Sequence, residues 1–375
     1  MPFNMSEPSE IIHFAIVGAG HIGQRHAHMI QTNPRAQLVA VTDVKIREEL
    51  NLAPEIPLYD SIEEMLMHHA NIDVVCIATP NGYHSQHAIQ ALSMGRHVVV
   101  EKPMALSSDE CDAMMEEAQK RNKQIYCVMQ NRFSPPSQWI KSIIEQRLLG
   151  EIYQTQVVCY WNRDHRYYKT GHWHGTADLD GGVLFTQFSH FVDLMYWLLG
   201  PLNIEYAVTS NFNHSSLTEF DDSGQVLFSF GSRGKGSLSY STSLYNQNFE
   251  SSITLIGEKG TVKLGGQYMN SVDYCDIENY AMPELPAAEP PNDYGGYKGS
   301  AANHHFVIED VINHLLNGTP TITTPEEGKF VVNIIETIHK VQKKNKHLFD
   351  CNTIIYENLI FFFIFFGGKP HFWCL

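Results

Sequence analysis

The sequence predicts an α/β protein in two parts: an N-terminal doubly wound parallel sheet, then a C-terminal α/β domain built on an open, mostly antiparallel sheet. Three observations predict it. Short apolar runs alternate with helical stretches from residue 11 to about 131, and a glycine-rich turn closes the first run. After about residue 132 the texture changes to strand-like runs punctuated by glycine.

The runs of the first part are 11–17, 37–42, 73–78, 97–100 and 125–129. Between them, Ser61 with Glu64 and Ser107 with Glu110 have the spacing of a capping box and predict helix starts. In the second part, helical segments near 134–149 and 183–199 flank Ile152 to Trp161, and strand-like runs follow at 204–210, 225–230, 236–244, 252–257 and 260–264. A loop rich in Pro, Gly and Tyr (Pro283 to Gly299) leads to a helix near Asn303 to Leu316. Thr324-Pro325-Glu326-Glu327 then joins a cap, a first-position proline and an acidic third residue, and predicts a last helix to about Lys343. These readings divide the chain into 1–131, 132–346 and an atypical apolar tail, 347–375.

Composition narrows the function classes. A formal charge of −15 with no Lys/Arg cluster argues against nucleic acid as a partner. Seven scattered cysteines with no CxxC pair suggest buried thiols in a reducing compartment, and Met1 to Glu10 lacks the basic start and apolar core of a signal peptide, so a cytoplasmic protein is expected. The apolar run Leu359 to Phe366 is far short of the roughly 20 residues that span a bilayer, which leaves a covered edge strand as one reading of the tail.

Gly18-Ala19-Gly20-His21-Ile22-Gly23 follows the first run and opens a helix. Its first glycine permits a tight turn, its second lets a pyrophosphate approach the backbone, and its third lets the helix pack closely on the strand. Asp43 ends the second run twenty residues beyond Gly23, the spacing of a carboxylate that bonds the 2'-hydroxyl of an adenosine ribose. The pattern therefore predicts NAD(H). NADP(H) is the lesser alternative, kept by Lys45 and Arg47 just past the acid. No metal is expected: His172 and His174 sit two apart on a loop without a companion cysteine or carboxylate pair.

Ligands of such sheets bind outside the carboxyl ends of the strands. Ala78-Thr79-Pro80-Asn81, Glu101-Lys102-Pro103 and Gln130-Asn131-Arg132 lie there. Lys102 is placed to bond a reacting hydroxyl, with its pKa lowered by partial burial. The second part offers a partner on the stretch Gly181 to Trp197, where Thr186, His190 and Asp193 share one stripe and Phe188, Val192, Met195 and Leu199 share an apolar one. Asp193 then orients His190 or bonds backbone.

The order of GxGxxG, ATPN, EKP, a Gly-Gly helix ending HxxD, and TPEEG resembles the Gfo/Idh/MocA oxidoreductase family over about residues 11–345. The resemblance implies a Rossmann domain followed by a larger α/β domain, with dimers or tetramers formed through the outer face of the second sheet. It implies Lys102 and His190 as the catalytic centre, and Gly18, Gly20, His21, Ile22, Gly23, Asp43, Thr79, Asn81, His84, Glu101 and Lys102 as cofactor-binding residues. One departure matters: many polyol and inositol dehydrogenases of the family carry Asp where this chain has Thr186. A neutral residue there is similar to the subgroup that oxidises the 3-hydroxyl of UDP-N-acetylglucosaminuronate in surface-polysaccharide pathways. That similarity implies a UDP-linked sugar acid as substrate, with Arg163 for its carboxylate and Arg132, Thr186, Gln187, Asn303 and His304 as further contacts. A plainer reading of Arg163 has it bonding Asp164 or a backbone carbonyl.

Overall fold

Apolar runs bounded by polar turns become the strands of two sheets. The computed structural model describes residues 11–169, 172–295 and 297–366, with side chains as far as Asn345. The first sheet takes β1 (Ile12–Val17), β2 (Ala36–Thr42), β3 (Leu58–Tyr59), β4 (Val74–Ile77), β5 (His97–Val100) and β6 (Ile125–Cys127) in the order β3-β2-β1-β4-β5-β6, all parallel. The order reverses beside β1, and there the cleft opens. Helices α1 (His21–Thr32), α2 (Ile62–His68), α3 (His84–Ser93) and α4 (Ser108–Arg121) connect these strands. Burial on both faces explains the unbroken apolar run of β4. The capping box at Ser107 and Glu110 forms in both directions, and the Ser61 hydroxyl accepts from the Glu64 amide.

The second sheet follows α5 (Pro135–Glu145) and begins with β7 (Ile152–Tyr160). After α6 (Val183–Thr186) and α7 (Ser189–Leu199) come β8 (Leu202–Ser210), β9 (Ser223–Phe230), β10 (Gly234–Ser241), β11 (Glu250–Gly257), β12 (Gly260–Gly265) and β13 (Ser271–Ile277). Their order is β13-β12-β11-β7-β10-β9-β8, antiparallel except where β7 pairs with β10. One face packs Val157, Leu238, Phe228 and Leu255 against Phe188 and Phe191, while Tyr153, Leu227, Ile256 and Tyr274 stand exposed. A hairpin of β14 (Pro291–Asp293) and β15 (Lys298–Ala301) precedes α8 (His304–Asn317) and α9 (Pro325–Phe366).

Four features differ from the sequence reading. The predicted helix 183–199 is two helices, because the chain turns at Gln187 and Phe188. The last helix continues past Lys343 to Phe366, so the apolar run 359–366 is helical rather than an edge strand; residues 367–375 lie outside the described part. The strands of 58–59, 271–277, 291–293 and 298–301 carry too little apolar alternation to be seen. Finally, the boundary at 131/132 is not where packing ends: Val307, Ile308, Val311 and Ile312 of α8 share a core with Phe14, Ile16 and Ile30 on one face of the first sheet. The second part thus reaches back over one face of the first sheet. Cys76, Cys111, Cys127 and Cys159 are buried free thiols. Among the described residues no helix is long and apolar enough to cross a membrane.

Candidate active site

The glycine turn is shaped for a dinucleotide. Gly18 has φ +91°, and a Cβ there would meet the Ala78 carbonyl at 2.7 Å; a Cβ on Gly23 would meet the Gly18 carbonyl at 1.8 Å. A Cβ on Gly20 would meet nothing within 4 Å, so this one glycine faces open space. It is also the residue before α1, whose first amides have no side-chain cap and point at that space beside His21 and Ile22. Asp43 is pinned beneath the turn, its carboxylate accepting from the amides of Ala19 at 2.5 Å and Lys45 at 2.9 Å. Arg47 turns away to the carbonyls of Ala53 and Ile56, which removes it from the position an extra phosphate requires. These residues fit NAD(H): free amides for the pyrophosphate and a carboxylate at the ribose end.

Two basic nitrogens meet at the strand ends. Lys102 follows β5, and its Nζ donates to the Thr186 carbonyl at 2.7 Å. His190, on α7, is buried, with Nε2 3.1 Å from Ser300 Oγ and 3.4 Å from Gln130 Nε2. Its Nδ1 has no partner. Burial lowers the Lys102 pKa, with Glu101 opposing, and burial together with the Lys102 charge pushes His190 well below the usual imidazole range. Both shifts disfavour the protonated form.

Beneath Lys102, Glu101 is buried and its carboxylate bonds His26 Nε2 on α1 at 2.8 Å. Burial alone raises a carboxyl, but the His26 hydrogen bond and the charges of His304, His26 and Lys102 prevail and hold Glu101 at about 2. Burial also opposes the charged form of His26, and bonds to Cys76 and Glu101 outweigh it, lifting that imidazole far above its ordinary value.

Several expected contacts go elsewhere. Asn81 points into the second part, donating to the Asp180 carbonyl at 2.8 Å and the Thr186 hydroxyl at 2.7 Å. His84 sits between the carbonyls of Pro103 at 2.7 Å and Thr79 at 2.9 Å; burial lowers its pKa, so the neutral ring serves one of them at a time. Thr79 Oγ1 lies 3.1 Å from His87 Nδ1. Asn81, His84 and Glu101 thus have protein partners that brace the strand ends.

Arg132 is also corrected: its guanidinium, fully buried, bonds Asp193 at 2.6, 2.9 and 3.2 Å, Glu327 Oε2 at 2.9 Å and the Ile322 carbonyl at 3.0 Å. Its nitrogens are all engaged within the protein, and Asp193 consequently orients Arg132 instead of His190. Asn303 donates to the Gln130 carbonyl and Ser134. His304 lies 3.6 Å from the Glu101 carboxylate. Gln187 keeps its Oε1 unpartnered while its Nε2 donates to the Tyr167 hydroxyl at 3.0 Å.

Arg163 differs from all of these. It is 3% exposed, and its guanidinium carbon lies 4.9, 5.2 and 5.0 Å from the ring centres of Trp161, Tyr167 and Tyr297. It bonds the Asn162 and Lys298 carbonyls and Asn248 Oδ1, while Asp164 pairs with Arg166 instead. The Arg163 Nε has no partner, and among the described residues no carboxylate pairs with it. Its charge is felt at Lys102, which places both cations on one side of the site.

Comparison with known proteins accounts for this arrangement. Residues 12–129 match the oxidoreductase family with an NAD-binding Rossmann fold, and residues 137–263 match the GFO/IDH/MocA C-terminal domain. The chain belongs to the Gfo/Idh/MocA oxidoreductase family. NAD is accordingly its cofactor, and its class is that of dehydrogenases. Similar solved structures include the WlbA dehydrogenase of Bordetella pertussis, in complex with NADH and UDP-GlcNAcA, at 32% identity and TM-score 0.78, covering 90% of this chain and 98% of that one. The WlbA enzyme of Chromobacterium violaceum, crystallised with the same pair, is 27% identical at TM-score 0.79, covering 91% and 96%. Among curated relatives, the glucose-6-phosphate 3-dehydrogenase of Bacillus subtilis is 24% identical over 76% of this chain and 84% of its own length.

Within this Gfo/Idh/MocA chain, sequence reasoning missed Ser300, Gln130 as a neighbour of His190, and Asp180. Asp180 is fully buried, and its carboxylate accepts from the Thr186 hydroxyl. It thus supplies a carboxylate at the position where Thr186 replaces one. Only a buried acid beside the Gly-Gly pair hinted at it.

Proposed function

We propose that the protein oxidises a ring hydroxyl, at C3, of a nucleotide-linked sugar acid such as UDP-N-acetylglucosaminuronate, in surface-polysaccharide sugar biosynthesis. The observation that carries this reading is Arg163. A buried guanidinium without a carboxylate partner is costly unless a ligand completes it, and its free edge suits the planar carboxylate of a sugar acid. Similarity to the two WlbA dehydrogenases, crystallised with UDP-GlcNAcA, supports the same substrate.

NAD, when bound, accepts the hydride from the sugar carbon. The chain supplies the rest. Lys102 and His190, whose protonated forms burial disfavours, take the hydroxyl proton, while Ser300 and Gln130 hold the imidazole at its Nε2. The hairpin β14–β15 brings Ser300 and Tyr297 over the site and excludes water. The exposed Tyr153, Leu227, Ile256 and Tyr274 of the second sheet offer the face for a homodimer or homotetramer, and a cytoplasmic location suits the free thiols.

Lys102→Met tests the assignment. Turnover of the sugar acid, read by nicotinamide absorbance, should fall by about 10²- to 10⁴-fold while NAD binding persists. Unchanged turnover would reject it. A second reading, oxidation of a phosphorylated or free sugar at C3, draws on the Bacillus subtilis relative. UDP alone separates the two, because a thermal shift on adding it favours the nucleotide-linked substrate.

A further inference from the structure

Oxidising an alcohol between the two domains releases one proton for each hydride transferred, and of the groups that accept it Lys102 is half-buried and His190 buried. That proton needs a way out. A chain of titratable side chains begins at Thr186, the residue holding Lys102. Its carbonyl accepts from Lys102 Nζ at 2.7 Å, and its hydroxyl donates to Asp180 Oδ1. The ammonium and the Asp180 carboxylate thus flank one residue, and their charges attract.

The other carboxylate oxygen of Asp180 accepts from the Gly175 amide at 2.8 Å and lies 3.8 Å from His174 Nδ1, just beyond hydrogen-bond length. That nitrogen has no other partner. The His174 ring lies 4.8 Å, centre to centre, from the His172 ring, and His172 is exposed. The two histidines are therefore a half-buried and a surface station beside Asp180.

We propose that Asp180, His174 and His172 form the exit route for the proton released by sugar oxidation, a proposal that rests on the dehydrogenase reading above. The sugar O–H bond breaks as an N–H bond forms on Lys102, and the carbon's hydride goes to the nicotinamide. The lysine proton passes to the Thr186 hydroxyl as that hydroxyl gives its own proton to Asp180, then on to His174 Nδ1, and the imidazolium so formed gives up a proton through His172 to water. One proton leaves per sugar oxidised, and each station returns to its starting state.

The charges around the route agree with this direction. His174 faces Asp180, Arg163, Lys102, His172 and the Tyr167 ring, while His172 faces Lys169, Lys45 and Asp180. Burial and the surrounding cations hold both imidazoles below their ordinary value, with Asp180 opposing, so a proton reaching either one is readily released.

The test uses the full chain with His174→Gln, Asp180→Asn and the surface variant His172→Gln. With NAD and the sugar acid, H174Q should lose about 10-fold or more in kcat, gain a solvent isotope effect, and recover in free imidazole; H172Q should show the same pattern more weakly. Wild-type kcat in both histidine variants, or a loss that imidazole does not restore, would overturn the route. Ring titration by NMR needs no substrate: the His174 midpoint should fall in D180N, and an unchanged midpoint would overturn the Asp180 link. If the wild-type enzyme oxidises a different sugar, the substrate reading fails, and the same variants test the route on that sugar.

Discussion

Arg132 and Arg163 are both sealed from water, and they are held in opposite ways. Arg132 gives each of its nitrogens to Asp193, Glu327 or a carbonyl. Arg163 receives carbonyls, an amide oxygen and aromatic faces but no acid. The fold thus pairs one buried cation with carboxylates and leaves the other without one. The paired arginine joins the end of β6 to α7 and α9, and on the proposed reading the unpaired one meets the substrate.

Substitutions that remove each charge break the comparison in different observables. Arg132→Met strands Asp193 without its partner, and breaking such a pair costs about 3–5 kcal/mol. Denaturant unfolding should show that loss, with substrate affinity in the folded fraction little changed. Arg163→Met should barely move stability. It should instead raise KM for the sugar acid by about 10- to 100-fold, a charged hydrogen-bonded contact being worth about 1.5–3 kcal/mol, and leave a neutral UDP-hexose nearly unaffected.

A pH profile sharpens the same contrast through the third buried pair, His26 with Glu101. Glu101 is depressed from 4.5 to about 2, so its contribution to stability is complete above pH 4.5 and lost as pH falls toward 2. His26 is raised from 6.5 to about 10, so its contribution is complete below pH 6.5 and lost as pH rises toward 10. Unfolding free energy should therefore be flat on this account between about pH 4.5 and 6.5, and Glu101→Gln should remove the acid limb and lessen the alkaline one, where Cys76 still acts on His26. An acid limb that persists in E101Q would assign it to other groups.

What sequence revealed and what it hid divide along the same line. The glycine turn, Asp43, Lys102 and the caps at Ser107 and Thr324 are local: each depends on neighbours within a few residues or on a fixed spacing, and each stands where its pattern placed it. His190 was legible because its helix has an apolar stripe that leaves it facing elsewhere. The partners of Arg132 were not, because Asp193 and Glu327 lie far along the chain and an arginine after a strand looks the same whether a fold or a ligand will pair it. Ser300 and Tyr297 were hidden for another reason. They arrive on a short hairpin without apolar alternation, held mainly by what it covers. Asn81 and His84 show the limit of motif reasoning, since a strand-end polar residue serves the loop architecture as readily as the cofactor.

The most direct measurement compares kcat/KM for UDP-N-acetylglucosaminuronate and for the matching neutral UDP-N-acetylhexosamine, in the wild-type protein and in Arg163→Met. The wild-type protein should favour the acid by about 10-fold or more, and the variant should lose that preference. Equal use of both sugars by the wild type, or a preference that survives the loss of Arg163, would contradict the account.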